Sequence, residues 1–163
     1  MKKVIVIGCP GSGKSTLARD LHDVTGIPLF HLDMMYWNSD RTIVDKALFR
    51  ERLFKTMEKE TWIIDGNYGS TMELRLQACD TVIFLDYPSE VCLAGVAARR
   101  GKARTDMPWV EQEVDPEFME YIKNYNSQSR PTVMALLEKY PQKEIHIFKD
   151  RVEADAFLRT LKK

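Results

Sequence analysis

The residues that follow the first apolar run have the spacing of a phosphate-binding loop. Residues 8–15, Gly-Cys-Pro-Gly-Ser-Gly-Lys-Ser, match the pattern G-x-x-x-x-G-K-[ST] and come directly after the run 4–7, Val-Ile-Val-Ile. Between a buried strand and a helix, such a loop points backbone N–H groups and the positive end of the helix dipole at one anion. The pattern therefore predicts binding of a nucleoside triphosphate.

Two side chains of this loop have expected roles in phosphate chemistry. Lys14 should reach the β- and γ-phosphates, and the Ser15 hydroxyl should complete the coordination shell of Mg²⁺. ATP and Mg²⁺ are the expected cofactors. The residues expected to bind the nucleotide are Gly8, Pro10, Gly11, Ser12, Gly13, Lys14, Ser15 and Thr16.

Short apolar runs alternate with helical patterns along the chain, which predicts an α/β fold with a parallel sheet covered by helices. The predicted strands are Lys3–Ile7, Pro28–Leu32, Trp62–Asp65, Thr81–Asp86 and Ile145–Phe148. The predicted helices cover Lys14–Asp23, Asp45–Lys59, Met72–Ala78, Ser89–Arg100, Pro116–Tyr140 and Arg151–Leu161. Pro131 should kink or split the longest of them.

Three carboxylates follow predicted strands at the sheet edge where parallel α/β sheets bind ligands. They are Asp33, Asp65 and Asp86. Beside a phosphate loop, one carboxylate can hold Mg²⁺ and another can accept the proton of an attacking hydroxyl. We expect Asp65 at the metal and Asp33 at the acceptor, although the two roles could be exchanged. Asp86 precedes a Tyr-Pro-Ser sequence and is expected to cap the next turn.

Two resemblances to known families rest on these motifs. The phosphate loop, the Asp-Gly pair at 65–66, and Leu-Asp-Tyr-Pro at 85–88 before a helix ending in Arg99-Arg100 resemble adenylate kinases and related nucleotide kinases. A closer resemblance is to the bacterial family labelled DNA topology modulation proteins. It is carried by His-Leu-Asp at 31–33 with Trp37, and by residues 62–71, Trp-Ile-Ile-Asp-Gly-Asn-Tyr-Gly-Ser-Thr, with Arg75.

The resemblance implies a three-layer, nucleotide-kinase-like P-loop fold. Its sheet has five parallel strands in the order 2-3-1-4-5, which places the third strand beside the first and Asp65 next to the phosphate loop, where Mg²⁺ is held. The residues expected at the acceptor are Asp33, Trp37, Asn67, Tyr68 and Arg75, with Arg130 as a further candidate.

Arginines near the end of the fourth predicted helix are candidates for stabilising the transferred phosphoryl group. Adenylate kinases carry two arginines four residues apart here; Arg99 matches the second, whereas Gly95 stands at the first. Arg104 could supply the missing contact, as could Lys123 or Arg130 further along. Residues 99–115 are expected to form a small mobile lid. Lys14, Asp33, Arg99 and Arg104 are the expected catalytic residues.

Other residues near the predicted site leave alternatives open. Met-Met-Tyr-Trp at 34–37 could form an apolar wall for a flat acceptor or belong to the core. Arg100 and Lys102 could equally be a solvated basic end of a helix. His31 is expected to be a hydrogen-bonded structural histidine rather than a base.

Composition restricts the function further. The 163 residues are 44% hydrophobic, with 24 basic and 24 acidic residues, which predicts a single P-loop domain over residues 1–163 with no overall field that would attract DNA. Three unclustered cysteines and the lack of a signal or membrane segment predict a cytoplasmic protein. No Asn-Lys-x-Asp guanine reader occurs. The expected function is transfer of the ATP γ-phosphoryl group to a nucleoside, nucleotide or other small acceptor. The alternative is a nucleotide-dependent regulatory ATPase that acts on DNA topology.

Overall fold

A computed structural model describes residues 1–102, 106–110 and 115–162 of the chain. Within these residues, five parallel strands form one sheet in the order β2-β3-β1-β4-β5. The strands are β1 (Lys3–Gly8), β2 (Leu29–His31), β3 (Trp62–Asp65), β4 (Thr81–Leu85) and β5 (Glu144–Phe148). The α/β fold and the strand order 2-3-1-4-5 are thus confirmed.

Helices connect successive strands on both faces of the sheet. They are α1 (Lys14–Thr25), α2 (Leu32–Tyr36), α3 (Lys46–Met57), α4 (Gly69–Ala78), α5 (Ser89–Arg99), α6 (Pro116–Gln128), α7 (Arg130–Glu138) and α8 (Arg151–Leu161). None of the helices in the described ranges is long and apolar enough to cross a membrane.

The alternating side chains of β1 divide the apolar interior into two cores. Val4 and Val6 face a core that α1, α5, α6 and α8 cover. Ile5 and Ile7 face the opposite core, which α3, α4 and α7 cover. Because β1 is buried on both faces and paired on both edges, the loop that follows it starts from a rigid position.

The segment predicted as one helix from 116 to 140 is two helices. Helix α6 ends at Gln128, and Pro131 lies in the first turn of α7, where a missing N–H costs no helical hydrogen bond. Asp115 caps α6 by accepting a hydrogen bond of 2.9 Å from the Glu117 amide. Sequence reasoning missed α2, which is only five residues long and starts where the second strand was expected to end.

The register of the sheet fixes which residues meet at its carboxyl edge. Asp65 pairs with Val6 on one side and with His31 on the other, so the end of β3 lies between β1 and β2. Gly8 pairs with Leu85 of β4. The phosphate loop and the carboxylates of the expected site therefore emerge side by side.

Candidate active site

A cavity of about 1040 Å³ lies at the carboxyl edge of the sheet, against the phosphate loop. It brings together most of the residues that the sequence assigned to a site. Those that line it are Pro10, Gly11, Ser12, Gly13, Lys14, Ser15, Thr16, Asp33, Trp37, Asp65, Tyr68 and Arg99. A volume of this size suffices for a nucleotide and a small acceptor together.

The backbone of the phosphate loop is held in place by close contacts with Asn67 and with helix α5. Asn67 bridges the end of β1, because its Oδ1 accepts from the Gly8 amide at 3.1 Å and its Nδ2 donates to the Gly8 carbonyl at 2.6 Å. On the other side, a Cβ built on Gly11 would lie 2.0 Å from the Cys92 carbonyl oxygen of α5. Only glycine permits this close crossing.

Gly95 has a packing role that the sequence did not reveal. A Cβ at Gly95 would lie 2.1 Å from the Gly11 carbonyl oxygen. The glycine that stands in place of an expected arginine is therefore where α5 touches the phosphate loop. Four residues on, Arg99 lines the cavity and is close enough for its charge to lower the pKa of Lys14.

Burial and neighbouring carboxylates shift the pKa of Lys14 in opposite directions. Burial lowers the pKa of its ammonium group, while the carboxylates of Asp65 and Asp33 raise it. The ammonium donates to the Cys9 carbonyl at 3.4 Å. A positive charge beside two carboxylates and backbone amides is suited to bridging a polyphosphate and the residues that act on it.

Asp65 is oriented by a histidine from the neighbouring strand. His31 Nδ1 lies 2.8 Å from Asp65 Oδ2, and both side chains are nearly buried. Burial lowers the pKa of His31, but the hydrogen bond and charge of Asp65 outweigh it and the net pKa is raised. His31 thus orients the Asp65 carboxylate, which was expected at the metal. It does so through Oδ2, so Oδ1 of Asp65 takes no part in this hydrogen bond.

Asp33 forms a second pair, with Tyr68. The Tyr68 hydroxyl donates a hydrogen bond to Asp33 Oδ1. Burial raises the pKa of Asp33; the hydrogen bond from Tyr68 and the charge of Lys14 act against this rise. A carboxylate with a raised pKa that lines the cavity is suited to accept a proton from an acceptor hydroxyl.

Arg75, expected at the acceptor, lies in the interior. Its fully buried guanidinium donates to the carbonyls of Gly66 and Tyr68, each at 3.0 Å, and to that of Asn67. Burial lowers the pKa of Arg75 to about 10. Tyr68 itself has a φ of 33°, so the arginine supports a loop that carries backbone strain. The expectation of acceptor contact is corrected for the fully buried Arg75. Asn67 does not line the cavity, and its side-chain amide is hydrogen-bonded to Gly8.

Arg130 also lies away from the cavity lining. Its Nε and Nη2 donate to the two carboxylate oxygens of Asp86 at 2.8 and 2.9 Å, and Lys149 adds a contact of 2.5 Å. Asp86 therefore has a structural role, as expected, but through ion pairs rather than by capping a turn. An acceptor contact by Arg130 would require it to leave a bidentate pair. The expected catalytic Arg104 lies outside the described residues.

The aromatic stretch after Asp33 divides between core and wall. Met35 is buried in the core and Met34 is exposed, whereas Trp37 lines the cavity. Its ring meets that of Trp109 edge to face, with centroids 5.7 Å apart. The two tryptophans form one apolar wall of the cavity.

Several lining residues were not assigned to the site by the sequence analysis, among them Asp106, Trp109 and Arg151. No motif marks Asp106 or Trp109, which come from an irregular segment. Arg151 could have been found, because it follows β5 at the same edge of the sheet. A Cβ on Gly13 would lie 3.9 Å from Arg151 Nη1.

The oxygen donors at this edge fit Mg²⁺. Ser15, Asp33, Asp65 and Asp106 provide hydroxyl and carboxylate oxygens, the ligands that this hard cation prefers. In the described part of the chain, no three acidic, histidine or cysteine side chains are grouped to hold a metal by themselves. Mg²⁺ in nucleotide sites typically takes one or two protein ligands, with the rest from phosphate and water.

Comparisons with known proteins agree on the fold. The chain is similar to the shikimate kinase of Acinetobacter baumannii solved in complex with shikimate, at a TM-score of 0.64 and 14% identity over 99% of this chain and 90% of that one. It is similar to that of Bacteroides thetaiotaomicron (TM-score 0.61, 20% identity, 97% and 94% covered) and that of Aquifex aeolicus (0.58, 21%, 97% and 92%). No family model matches the chain, and no curated protein matches it in sequence. The chain therefore shares its fold with these kinases.

Proposed function

We propose that this protein is a kinase that transfers the γ-phosphoryl group of ATP to a small acceptor, such as a nucleoside, a nucleotide or another hydroxyl compound. One observation carries the proposal: Asp33 lines the same cavity as Lys14 and Ser15, and its charge acts on Lys14. A potential proton acceptor therefore faces the phosphate-binding residues across a space that can hold two ligands.

Each side chain of the cavity has a role in this proposal. The backbone of the phosphate loop and Lys14 bind the β- and γ-phosphates. Ser15 and Asp65 would hold Mg²⁺, which neutralises charge on the transferred phosphoryl group when bound. Asp33 accepts the proton of the attacking hydroxyl, and Arg99 stabilises the charge that spreads over the phosphoryl oxygens.

The acceptor side is shaped by Trp37, Trp109 and Tyr68. The tryptophan wall supplies apolar surface for a ring, and the Asp33–Tyr68 pair supplies polar groups at its inner end. The solved neighbour that holds shikimate makes this compound one acceptor to test, together with nucleosides and nucleotides. Residues 99–115 are proposed to act as a lid, with Arg104 as a second cation for the phosphates.

The resemblance to DNA topology modulation proteins suggests an alternative function, a regulatory ATPase that acts on DNA. Structural neighbours that are kinases favour phosphoryl transfer over a direct action on DNA. A zero net charge points the same way, because DNA affinity depends largely on phosphate contacts.

A panel of acceptors tests the proposal. Purified protein is incubated with Mg²⁺-ATP and each of a set of nucleosides, nucleotides and small hydroxyl compounds, and acceptor-dependent ADP release is measured. Asp65→Asn should raise the Mg²⁺ concentration required, and Asp33→Asn should mainly lower kcat. Retention of wild-type kinetics by both variants across a magnesium titration would refute the assigned roles.

A further inference from the structure

Asp106 reaches the phosphate loop from a segment 91 positions away in the chain. The Ser15 hydroxyl donates to Asp106 Oδ2 at 2.7 Å. Asp106 is only 6% exposed, yet it lines the cavity. Its charge is also among the causes of the raised pKa of Asp33, after burial. A third carboxylate is therefore placed beside the hydroxyl that is expected at the metal.

The segment 106–110 is held at a second point on the opposite wall. The Trp109 ring contacts Trp37, and the Arg41 guanidinium carbon lies 4.9 Å from the Trp109 ring centroid. Arg41 Nη2 also donates to the Val110 carbonyl at 3.2 Å. Together with the hydrogen bond to Ser15, these contacts fix Asp106 relative to both sides of the cavity.

The charge of Asp106 acts in opposite directions on two forms of a nucleotide. Beside Ser15, the Asp106 carboxylate would lie near the oxygens of a bound polyphosphate, and two groups of like charge repel strongly in a partly buried site. A divalent cation between them would turn this repulsion into attraction. The Ser15 hydroxyl can donate to Asp106 while its lone pair binds a cation, so both contacts are compatible.

We infer that Asp106 makes the site selective for the magnesium complex of the nucleotide over the free nucleotide. The carboxylate excludes metal-free polyphosphate and supports the cation through Ser15. This inference rests on the proposed nucleotide site, but it requires no turnover and no knowledge of the acceptor.

Calorimetric binding of a non-hydrolysable ATP analogue, once with excess Mg²⁺ and once with EDTA, tests this role. Asp106→Asn keeps the size of the side chain and an oxygen that can accept from Ser15, while it removes the charge. The ratio of the dissociation constant in EDTA to that in excess Mg²⁺ should fall by about tenfold relative to wild type, mainly because binding in EDTA becomes tighter. Asp106→Ala should give the same change, and melting temperatures confirm that both variants fold.

Asp23→Asn is the matched control, because it removes the same charge from an exposed position in the last turns of α1. It should leave the ratio unchanged. If Asp106→Asn tightened binding equally with and without Mg²⁺, the charge of Asp106 would oppose the nucleotide whether or not the cation is bound, and the inference would be wrong. Unchanged binding under both conditions would also overturn it while leaving the proposed function intact. Absence of nucleotide binding by the wild type would overturn both.

Discussion

Gly11 and Gly95 bring the phosphate loop and helix α5 into contact at a point where no side chain fits. A Cβ on Gly95 would lie 2.1 Å from the Gly11 carbonyl oxygen, and one on Gly11 would lie 2.0 Å from the Cys92 carbonyl oxygen. The loop that should bind phosphate is therefore shaped partly by a helix almost 80 residues further along the chain, since interiors tolerate little overpacking.

Gly95→Ala should impair nucleotide binding although alanine is the better helix former by about 1 kcal/mol. The added methyl group must displace the Gly11 carbonyl and hence the amides that face the phosphates. We expect nucleotide affinity to fall by about tenfold or more, because misplacing pre-organised donors is costly. Calorimetry with Mg²⁺-ADP measures this loss.

Gly69→Ala is the matched control for this prediction. Gly69 starts α4, and a Cβ there would meet no atom within 4 Å. It should leave nucleotide affinity unchanged. Equal affinity of the Gly95 and Gly69 variants would show that the loop tolerates the displacement.

Much of the fold and part of the site could be predicted from the sequence, for physical reasons. The phosphate loop is a local pattern, and Asp33 and Asp65 come directly after apolar strands whose ends meet at one edge. Arg75 and Asn67 could not be assigned in this way. Their side chains suit ligands and backbone carbonyls equally well, and only the fold decides between the two.

Asp106 was beyond sequence reasoning for a different reason. Its contact with Ser15 joins positions far apart in the chain, and its segment has no periodic pattern. Helix α2 was missed because its five residues are too few to show a helical repeat of apolar positions, so the segment could not be distinguished from the end of a strand. The strand order itself came from a family resemblance rather than from the residues.

Asp86→Asn should destabilise the protein by roughly 1–2 kcal/mol near neutral pH, since it breaks the ion pairs of a nearly buried carboxylate with two partly exposed cations, Arg130 and Lys149. Burial raises the pKa of Asp86, but Arg130 and Lys149 outweigh it and hold the pKa below its usual value of 3.8. The ion-pair contribution is thus present above about pH 4 and is lost as the pH falls through the lower folded-state pKa.

Urea unfolding of wild type and Asp86→Asn over a pH series measures this difference, which should shrink on acidification. Glu51→Gln, which breaks an exposed pair with Lys55, should change stability by less than about 0.5 kcal/mol. A difference that grew towards low pH would contradict the sign of the Asp86 shift.

Tyr68→Phe should move the acidic limb of the pH–rate profile to higher pH. The hydrogen bond from Tyr68 lowers the pKa of Asp33 against the effect of burial, so its removal raises that pKa. Because a general base must be ionised to accept a proton, activity is then lost at a higher pH. Tyr121→Phe, at an exposed position, should leave the profile unchanged. A limb that stayed in place would remove Asp33 from the role of base.

Residues 99–115 should exchange amide hydrogens more slowly when a non-hydrolysable ATP analogue and Mg²⁺ are bound. A closing lid excludes water, which a kinase needs so that the acceptor rather than water takes the phosphoryl group. Hydrogen exchange followed by mass spectrometry measures the protection, with the exposed α8 residues as an internal reference. Equal exchange with and without bound nucleotide would make the segment an ordinary surface connection.

Transfer of the γ-phosphoryl group itself tests the central claim most directly. ATP labelled at the γ-phosphate is incubated with the wild type, with Lys14→Ala and with the acceptor panel, and the label is followed into the acceptor. We predict that the wild type labels at least one acceptor, and that Lys14→Ala, which changes a cavity residue rather than the core, keeps its melting temperature but loses the transfer. Label that appeared only in inorganic phosphate, or equal transfer by the Lys14 variant, would contradict a kinase at this site.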